Sequence, residues 1–232
     1  TRDKLELEKK ALRTLSSGIV DGIVIASTAD SFKKIKSQIP EGFPIVFIDR
    51  VFADQYVDSV ILDCRDATRK MLEEMIDKGH KNIGFLVGLP QISPTLERVA
   101  VYRQVLKEHN ITEVDNNIRY IRSKKKTFEV AKELVEKGCT ALVATNTAMT
   151  HDVLNYIESA NMKIGQDIVV GGFVDSEFAN RFMNCIPVVY EPVKEMGYEA
   201  GGMILRKIEK NQEFRVKALK CIYQSNHFGE KE

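Results

Sequence analysis

Polar side chains suited to binding a small polar ligand follow several predicted strands of this sequence. They are Asp49, Arg50, Ser93, Arg98, Thr145, Asn146, Asp175 and Ser176. Carboxylates, amides and guanidinium groups at one edge of a sheet suit bidentate hydrogen bonding to hydroxyls, carboxylates or phosphates. Because Asp and Asn are also common helix N-caps, a cap and a ligand contact are equally expected for Asn146 and Asp175. Arg98 is the better candidate for a ligand clamp, since it lies one turn into a helix that follows a strand-end loop.

Signatures of catalysis are absent from the sequence. It contains no G-x-x-x-x-G-K-[ST], G-x-G-x-x-G, G-x-S-x-G or H-E-x-x-H motif, so nucleotide-binding, hydrolase and metalloprotease interpretations lack their usual support. The four histidines are scattered, and His80, directly after a helix-ending glycine, is expected to be a helix-end partner rather than a metal ligand. We therefore predict no catalytic residue, no metal and no cofactor.

A helix, a glycine and a buried strand recur along the chain. Residues 69–90 combine apolar residues at helical spacing, a stop at Gly79 and a continuous apolar run at 83–87. Residues 12–26 and 134–145 repeat this order. Such units predict an α/β fold with doubly wound parallel sheets, whose ligands bind beyond the carboxyl ends of the strands.

Three further segments decide how the candidate residues are positioned. A strand at 45–48 delivers Asp49 and Arg50 to its carboxyl end, and a strand at 168–170 is predicted to end before Gly171. A long helix spans 193–208, and its glycines are expected to permit close packing rather than to break it.

Composition describes an ordinary globular protein. The 232 residues suit two lobes of about 110 residues each, and no apolar run approaches the roughly 20 residues of a membrane span. The 34 basic and 33 acidic side chains are mixed along the chain, so no electrostatic footprint for nucleic acid is visible. The charged amphipathic helix at the start, without an initiator methionine, suggests a fragment that lacks its amino-terminal part.

The four cysteines are Cys64, Cys139, Cys185 and Cys221. They are widely spaced and form no C-x-x-C pair, which favours reduced, buried thiols of a cytosolic protein over disulfides or a zinc site.

Four segments in the same order resemble the effector-binding core of lac-repressor-type (LacI/GalR family) bacterial transcription regulators. They are VDGIVIAS at 20–27, PIVFIDR at 44–50, LEEMIDKGHKNIGFLVG at 72–88 and EPVKEMGYEAGGMIL at 191–205. The resemblance implies a periplasmic-binding-protein-like fold of two doubly wound parallel-sheet lobes, joined by three crossovers, with a ligand cleft between them. It assigns residues 1–62 plus 189–218 to an incomplete N-terminal lobe and 63–188 plus 219–232 to a C-terminal lobe.

The resemblance also implies roles for several candidate residues. Asp49 matches an acidic residue after a lobe-one strand, and Arg98 matches the arginine of the family motif R-x-x-G-[YFW], with valine here in place of its glycine. Asn146 stands where the family commonly has aspartate, and Val174 stands at the first aspartate of G-[FY]-D-D. Losing two carboxylates while Arg98 is kept predicts a more positive pocket, suited to a sugar acid or sugar phosphate.

By the same resemblance, the chain is a cytoplasmic sensor of a sugar or sugar derivative. Effector binding would shift the lobes and thereby control operator DNA binding by an upstream helix-turn-helix domain absent from this chain. A homodimer is implied, with Phe178 and Phe182 as a possible interface or, equally, as core residues. A periplasmic or extracellular sugar-binding protein of a transport system is the main alternative, and a small-molecule enzyme is a third.

Overall fold

The computed structural model describes residues 1–52, 54, 56–112, 115–122, 126–175, 185–210 and 215–225. The helices are α1 (Leu5–Leu15), α2 (Lys33–Lys36), α3 (Arg65–Asp77), α4 (Ser93–Glu108), α5 (Thr127–Glu136), α6 (Thr147–Ser159) and α7 (Val193–Ile208). The strands are β1 (Ile23–Ile25), β2 (Ile45–Ile48), β3 (Ser59–Asp63), β4 (Ile83–Val87), β5 (Ile118–Tyr120), β6 (Ala141–Ala144), β7 (Val169–Val174), β8 (Val188–Tyr190), β9 (Val216–Lys220) and β10 (Ile222–Gln224). Ser176, Phe178 and Phe182 lie outside the described residues.

The chain divides into two compact units, each built from three segments. Unit 1 comprises Thr1–Asp63, Gln91–Pro94 and Val193–Leu219, and unit 2 comprises Cys64–Pro90, Thr95–Pro192 and Lys220–Glu232. One sheet has the strand order β1-β2-β3-β9, and the other has the order β10-β8-β7-β6-β4-β5. Strands β4 to β8 pair in parallel, whereas β10 is antiparallel to β8. The α/β fold with parallel sheets is therefore confirmed.

The repeated helix–glycine–strand unit forms as predicted. The glycine that follows α3, Gly79, has φ +93°, a left-handed conformation that costs glycine little. Its N–H donates to the Ile76 carbonyl at 2.8 Å, and that of His80 donates to the Met75 carbonyl at 2.9 Å, which completes a Schellman cap. Gly18 and Gly138 take the same conformation after α1 and α5.

Both faces of the six-stranded sheet are covered, and two glycines of β7 let the covering helices approach. A Cβ at Gly171 would lie 2.7 Å from Met71 Sδ of α3, and one at Gly172 would lie 2.5 Å from Thr150 Cγ2 of α6. The predicted end of this strand before Gly171 is therefore wrong: the glycines continue the strand because only a missing side chain fits between two packed layers. The strand ends at Val174, which places Asp175 directly at its carboxyl end.

Unit 1 has an apolar cluster on each side of its sheet. Phe47 of β2 packs edge-on against Phe52 and Phe32, with ring centroids 5.1 and 6.1 Å apart, in the cluster that also contains Leu12 of α1. The other cluster joins Val46 and Val60 to Met203 of α7. A helix on each face explains why β1, β2 and β3 are short and largely apolar.

Two further expectations from the sequence fail in the structure. Cys64 and Cys221 form a disulfide with Cα atoms 4.8 Å apart, whereas Cys139 and Cys185 are free thiols. Sequence spacing could not show this pairing because it gives no information on proximity across 157 residues. The glycines at 197 and 201 do not mediate close packing, since a Cβ at either would meet no atom within 4 Å.

Within the described ranges, no helix is long and apolar enough to cross a membrane. Across those same residues, no cluster of three or more His, Cys, Asp or Glu side chains is arranged to hold a metal ion.

Candidate functional site

The strand order of unit 2 changes direction between β4 and β6. From β4 the chain moves to β5 on one side, and it then returns to β6 on the other. A doubly wound sheet binds ligands at such a switch point, outside the carboxyl ends of the strands. Arg98, on the helix that follows β4, and Thr145, directly after β6, both lie at this point.

Arg98 is held by polar contacts and by an aromatic ring. Its Nη1 donates to the Thr145 carbonyl and its Nη2 to Glu191 Oε1, each at 2.5 Å. The centre of the guanidinium lies 4.4 Å from the centroid of the Phe173 ring. Only 8% of Arg98 is exposed, and its Nε has no hydrogen-bond partner among the described residues. The side chain is thus a pre-oriented planar cation that keeps unused hydrogen-bonding capacity at Nε.

Glu191 and Phe173 were not among the residues singled out from the sequence. Glu191 lies 93 residues from Arg98, in the loop after β8, and no local pattern marks it as a partner. Its side chain is buried to about the same degree as that of Arg98, so the two charges largely neutralise each other. Phe173 is fully buried in β7.

Tyr102, which ends the R-x-x-G-[YFW]-like segment, is a core residue. Its hydroxyl donates to the Ile83 carbonyl at 2.8 Å, and its ring stacks on Phe85 with centroids 4.5 Å apart. This anchor fixes α4 against β4 and so positions Arg98 one turn earlier.

Thr145, Asn146 and Asp175 share the carboxyl edge of the sheet but differ in what they offer. The Thr145 hydroxyl is buried and donates to the Leu86 carbonyl at 3.0 Å. Asn146 is the N-cap of α6, and its Oδ1 accepts from the Met149 N–H at 2.8 Å. Asp175 is half-buried and accepts a 3.5 Å hydrogen bond from Thr147. The structure therefore brings Arg98 into direct contact with Thr145 and assigns Asn146 a capping role.

In unit 1, Asp49 and Arg50 follow β2 as predicted. Asp49 has φ +64°, which turns the chain sharply and costs a non-glycine residue energy. Arg50 Nη1 donates to the Ser27 carbonyl at 2.9 Å and to Asp3 at 3.1 Å. The Ser93 hydroxyl accepts from the Val51 N–H at 2.9 Å, so it holds the loop that contains these residues.

A buried carboxylate that the sequence did not reveal organises the end of β1. Glu8 of α1 is 1% exposed and accepts three hydrogen bonds: 2.5 Å from Ser27 Oγ, and 2.7 and 2.5 Å from the N–H and hydroxyl of Thr28. A buried carboxylate needs such partners. Glu8 stands among other charged residues of α1, so no local pattern in the sequence distinguishes it as buried.

His80 is not in contact with these residues, and its ring contacts Thr140. Its Nδ1 is 3.1 Å from Thr140 Oγ1. Burial, together with the positive charge of Lys78, lowers the pKa of His80 below its usual value. The backbone N–H of His80 takes part in the cap of α3, whereas its side chain contacts Thr140, just before β6.

Comparison with known proteins defines the class. The family described as "Periplasmic binding proteins and sugar binding domain of LacI family" matches residues 1–224. The chain belongs to this family.

Individual relatives agree with this assignment. The probable HTH-type transcriptional regulator EndR of Paenibacillus polymyxa is 31% identical over 92% of this chain and 64% of its own length. The transcription regulator CcpA of Lactococcus lactis superposes with a TM-score of 0.86 at 23% identity, covering 98% of this chain and 84% of the other. A LacI family regulator from Enterococcus faecium with bound ribose has a TM-score of 0.79 at 20% identity, covering 93% and 82%. The chain spans less than two thirds of the length of EndR.

Proposed function

We propose that this chain is the effector-sensing part of a LacI-type transcription regulator, and that it binds a sugar or sugar derivative. The observation that carries the proposal is the environment of Arg98. A buried guanidinium beside an aromatic ring, at the switch point of a doubly wound sheet, recognises hydroxyl or carboxylate groups of a small polar ligand.

The relatives support a regulator rather than a transport protein or an enzyme. EndR is described as an HTH-type regulator, and the fold binds ribose in the Enterococcus faecium protein. We propose that operator DNA is contacted by a helix-turn-helix domain outside these 232 residues and that the protein acts in the cytoplasm. No catalytic role is proposed for any residue.

The other residues predicted to bind the effector are proposed to surround the ligand in addition to Arg98. Asp49 and Arg50 follow the carboxyl end of β2, and Asp175 follows the carboxyl end of β7. Ser93 is the first residue of α4 and accepts a hydrogen bond from the Val51 N–H in the loop after β2. Thr145 and Asn146 are proposed to position the residues around them rather than to contact the ligand with their side chains. Both side chains already form hydrogen bonds within unit 2.

The charge of the effector depends on Glu191. The hypothesis of an anionic ligand counts two carboxylates as lost, but the carboxylate of Glu191 offsets the charge of Arg98 at 2.5 Å. We therefore expect neutral sugars to bind the unchanged chain at least as well as sugar acids or phosphates. Glu191→Gln removes this anion, so it is expected to shift the preference toward sugar acids.

Titration calorimetry with D-ribose, its 5-phosphate, D-gluconate and other sugars tests the proposal. A ligand that binds the unchanged chain is expected to bind Arg98→Ala at least tenfold more weakly, because a charge-assisted hydrogen bond contributes about 1.5–3 kcal/mol. Arg103→Ala, an exposed arginine on the same helix, is the matched control and keeps full affinity. Equal affinity of the Arg98→Ala and Arg103→Ala variants rejects the assignment.

A homodimer is part of the proposal, with Phe178 and Phe182 as its candidate interface. Analytical ultracentrifugation of a Phe178→Ser/Phe182→Ser variant tests it. Dissociation with unchanged circular dichroism supports an interface, whereas loss of folded structure assigns the two side chains to the core.

The disulfide is the one observation that favours the transport alternative. Disulfides persist mainly in oxidising compartments outside the cytoplasm. Effector-dependent binding of the full-length protein to operator DNA distinguishes the two functions, because a transport protein has no DNA to bind.

A further inference from the structure

The Cys64–Cys221 disulfide lies where the chain passes from one unit into the other. Unit 2 begins at Cys64, directly after β3, and resumes at Lys220, one residue before Cys221. The bond therefore joins, within unit 2, the segment that begins at Cys64 to the segment that begins at Lys220. Cys64 is completely buried, and Cys221 is 8% exposed.

The surroundings of Cys64 favour an ionised sulfur. Arg98 Nη2 lies 3.9 Å from Cys64 Sγ, and Cys64 immediately precedes the 13-residue helix α3, whose amino-terminal end carries positive partial charge. Cys139 provides the contrast, because burial raises its pKa to about 11 and keeps it a protonated thiol. The two buried sulfurs thus differ in reactivity for reasons that the structure shows.

We propose that Cys64 and Cys221 are a reversible thiol pair that hydrogen peroxide oxidises and glutathione reduces. The redox state of this pair sets the charge beside Arg98 and thereby tunes effector binding. The link to effector binding rests on the proposed function, whereas the thiol pair itself does not. Disulfides that form in the reducing compartment where transcription occurs are usually transient and redox-sensing. A regulator with this pair therefore gains a second input.

The oxidation balances as two steps. The Cys221 thiolate, which is the more exposed, attacks peroxide; an S–O bond forms, the O–O bond breaks, and the departing hydroxide takes up a proton to give water. The Cys64 thiolate then attacks the sulfenic sulfur; the S–S bond forms, the S–O bond breaks, and a second water leaves after protonation. The sulfurs lose two electrons, which the peroxide gains. In reduction, two glutathione thiols supply two electrons and two protons and become glutathione disulfide.

Oxidation changes what Arg98 contacts. In the reduced pair, a Cys64 thiolate is a second anion for the guanidinium beside Glu191. In the disulfide, that sulfur carries no charge, and Glu191 is the only anion within hydrogen-bonding distance among the described residues. The oxidised form is therefore expected to leave Arg98 more available to an effector.

A glutathione redox titration tests the proposal on the 232-residue chain carrying Cys185→Ser, which removes the exposed free thiol. Rapid alkylation and mass spectrometry measure the fraction of cross-linked Cys64–Cys221 peptide. The ¹⁵N resonance of Arg98 Nε, assigned with an Arg98→Lys variant, is followed in parallel. We expect a two-electron transition within the range set by reduced and oxidised glutathione, peroxide-driven re-formation of the bond, and a shift of the Arg98 signal in step with it.

Three results overturn the proposal. A bond that stays closed in reduced glutathione is a structural disulfide. Thiols that never cross-link with peroxide are not a pair. If the Arg98 signal also shifts when the Cys221→Ala variant is treated with peroxide, the signal does not report the thiol pair. The same variant keeps the buried Cys64 and shows whether loss of the bond alone unfolds the chain. The titration uses no sugar, so its failure is distinct from failure of the sugar calorimetry, which tests the proposed function.

Discussion

Arg98 and Glu191 form a buried ion pair whose members depend on each other. A charged group is costly in a buried site without an opposite charge, so removing either member of the pair takes away the charge partner of the other. The other polar contacts of the arginine, to the Thr145 carbonyl and to the disulfide-bonded sulfur of Cys64, do not neutralise charge. At this scale the energetic unit is the pair rather than either residue.

We therefore expect Arg98→Met to lower the free energy of unfolding by about 3 kcal/mol, because the largely buried Glu191 carboxylate loses the opposite charge of Arg98. The double variant Arg98→Met/Glu191→Leu is expected to recover most of this loss, since no isolated charge remains. Urea denaturation of the two single variants and the double variant measures the coupling. Additive losses would show that the two side chains do not stabilise each other.

Substitutions at Asn146 can distinguish its structural role as a helix cap from a role in ligand binding. As the N-cap of α6 it satisfies the Met149 N–H, and replacing such a cap with alanine costs about 1 kcal/mol. We expect Asn146→Ala to lose this amount in urea denaturation and Asn146→Asp to lose almost nothing, because aspartate caps equally well. If Asn146→Asp is as unstable as Asn146→Ala, the cap is not what matters at this position.

Helix α3 and strand β10 are joined by a carboxylate that accepts from two hydroxyls. Glu74 accepts hydrogen bonds from Tyr223 and Ser225, and Lys78 pairs with it at 3.1 Å. Burial alone would raise the pKa of Glu74, but these partners outweigh it and hold the pKa below its ordinary value. The last strand of the sheet is thus fastened to the helix that begins unit 2.

This arrangement predicts a pH dependence. A lowered carboxyl pKa contributes stability that is present above the unfolded value of 4.5 and is lost as the pH falls through the folded value. We expect Tyr223→Phe to lose less stability than the unchanged chain between about pH 5 and about pH 3 in chemical denaturation. Tyr198→Phe, in which the hydroxyl is removed from an exposed tyrosine, is the matched control. Identical pH profiles for Tyr223→Phe and the unchanged chain would contradict the proposed contribution of Glu74.

The sequence predicts the fold better than the site. Helical spacing, Gly79 and continuous apolar strands are local signals, and each corresponds to an observed element. Asp49 and Arg98 could be placed because both follow strand ends. Glu191 could not, because its partner is distant in the chain and proximity across that distance is set by strand order, which no local pattern records.

The disulfide acts on the whole molecule because it closes most of the chain into a loop. Chain-entropy arguments give about 5 kcal/mol for a cross-link across 157 residues. Urea denaturation with and without a dithiol reductant is expected to show a loss approaching this value. A Cys64→Ala/Cys221→Ala variant should show no further loss on reduction. A stability independent of reductant would mean that the cross-link does not restrict the unfolded chain.

The division of each unit into three chain segments sets an order for synthesis on the ribosome. Five strands of the six-stranded sheet lie between Cys64 and Pro192, so most of unit 2 can assemble while the rest of the chain is still being made. Unit 1 is complete only after α7 and β9 have been made, and unit 2 only after β10. Residues 1–63 are therefore made before unit 2 but complete their own sheet only after most of unit 2 has been made, and until then their apolar strands depend on being kept from other nascent chains.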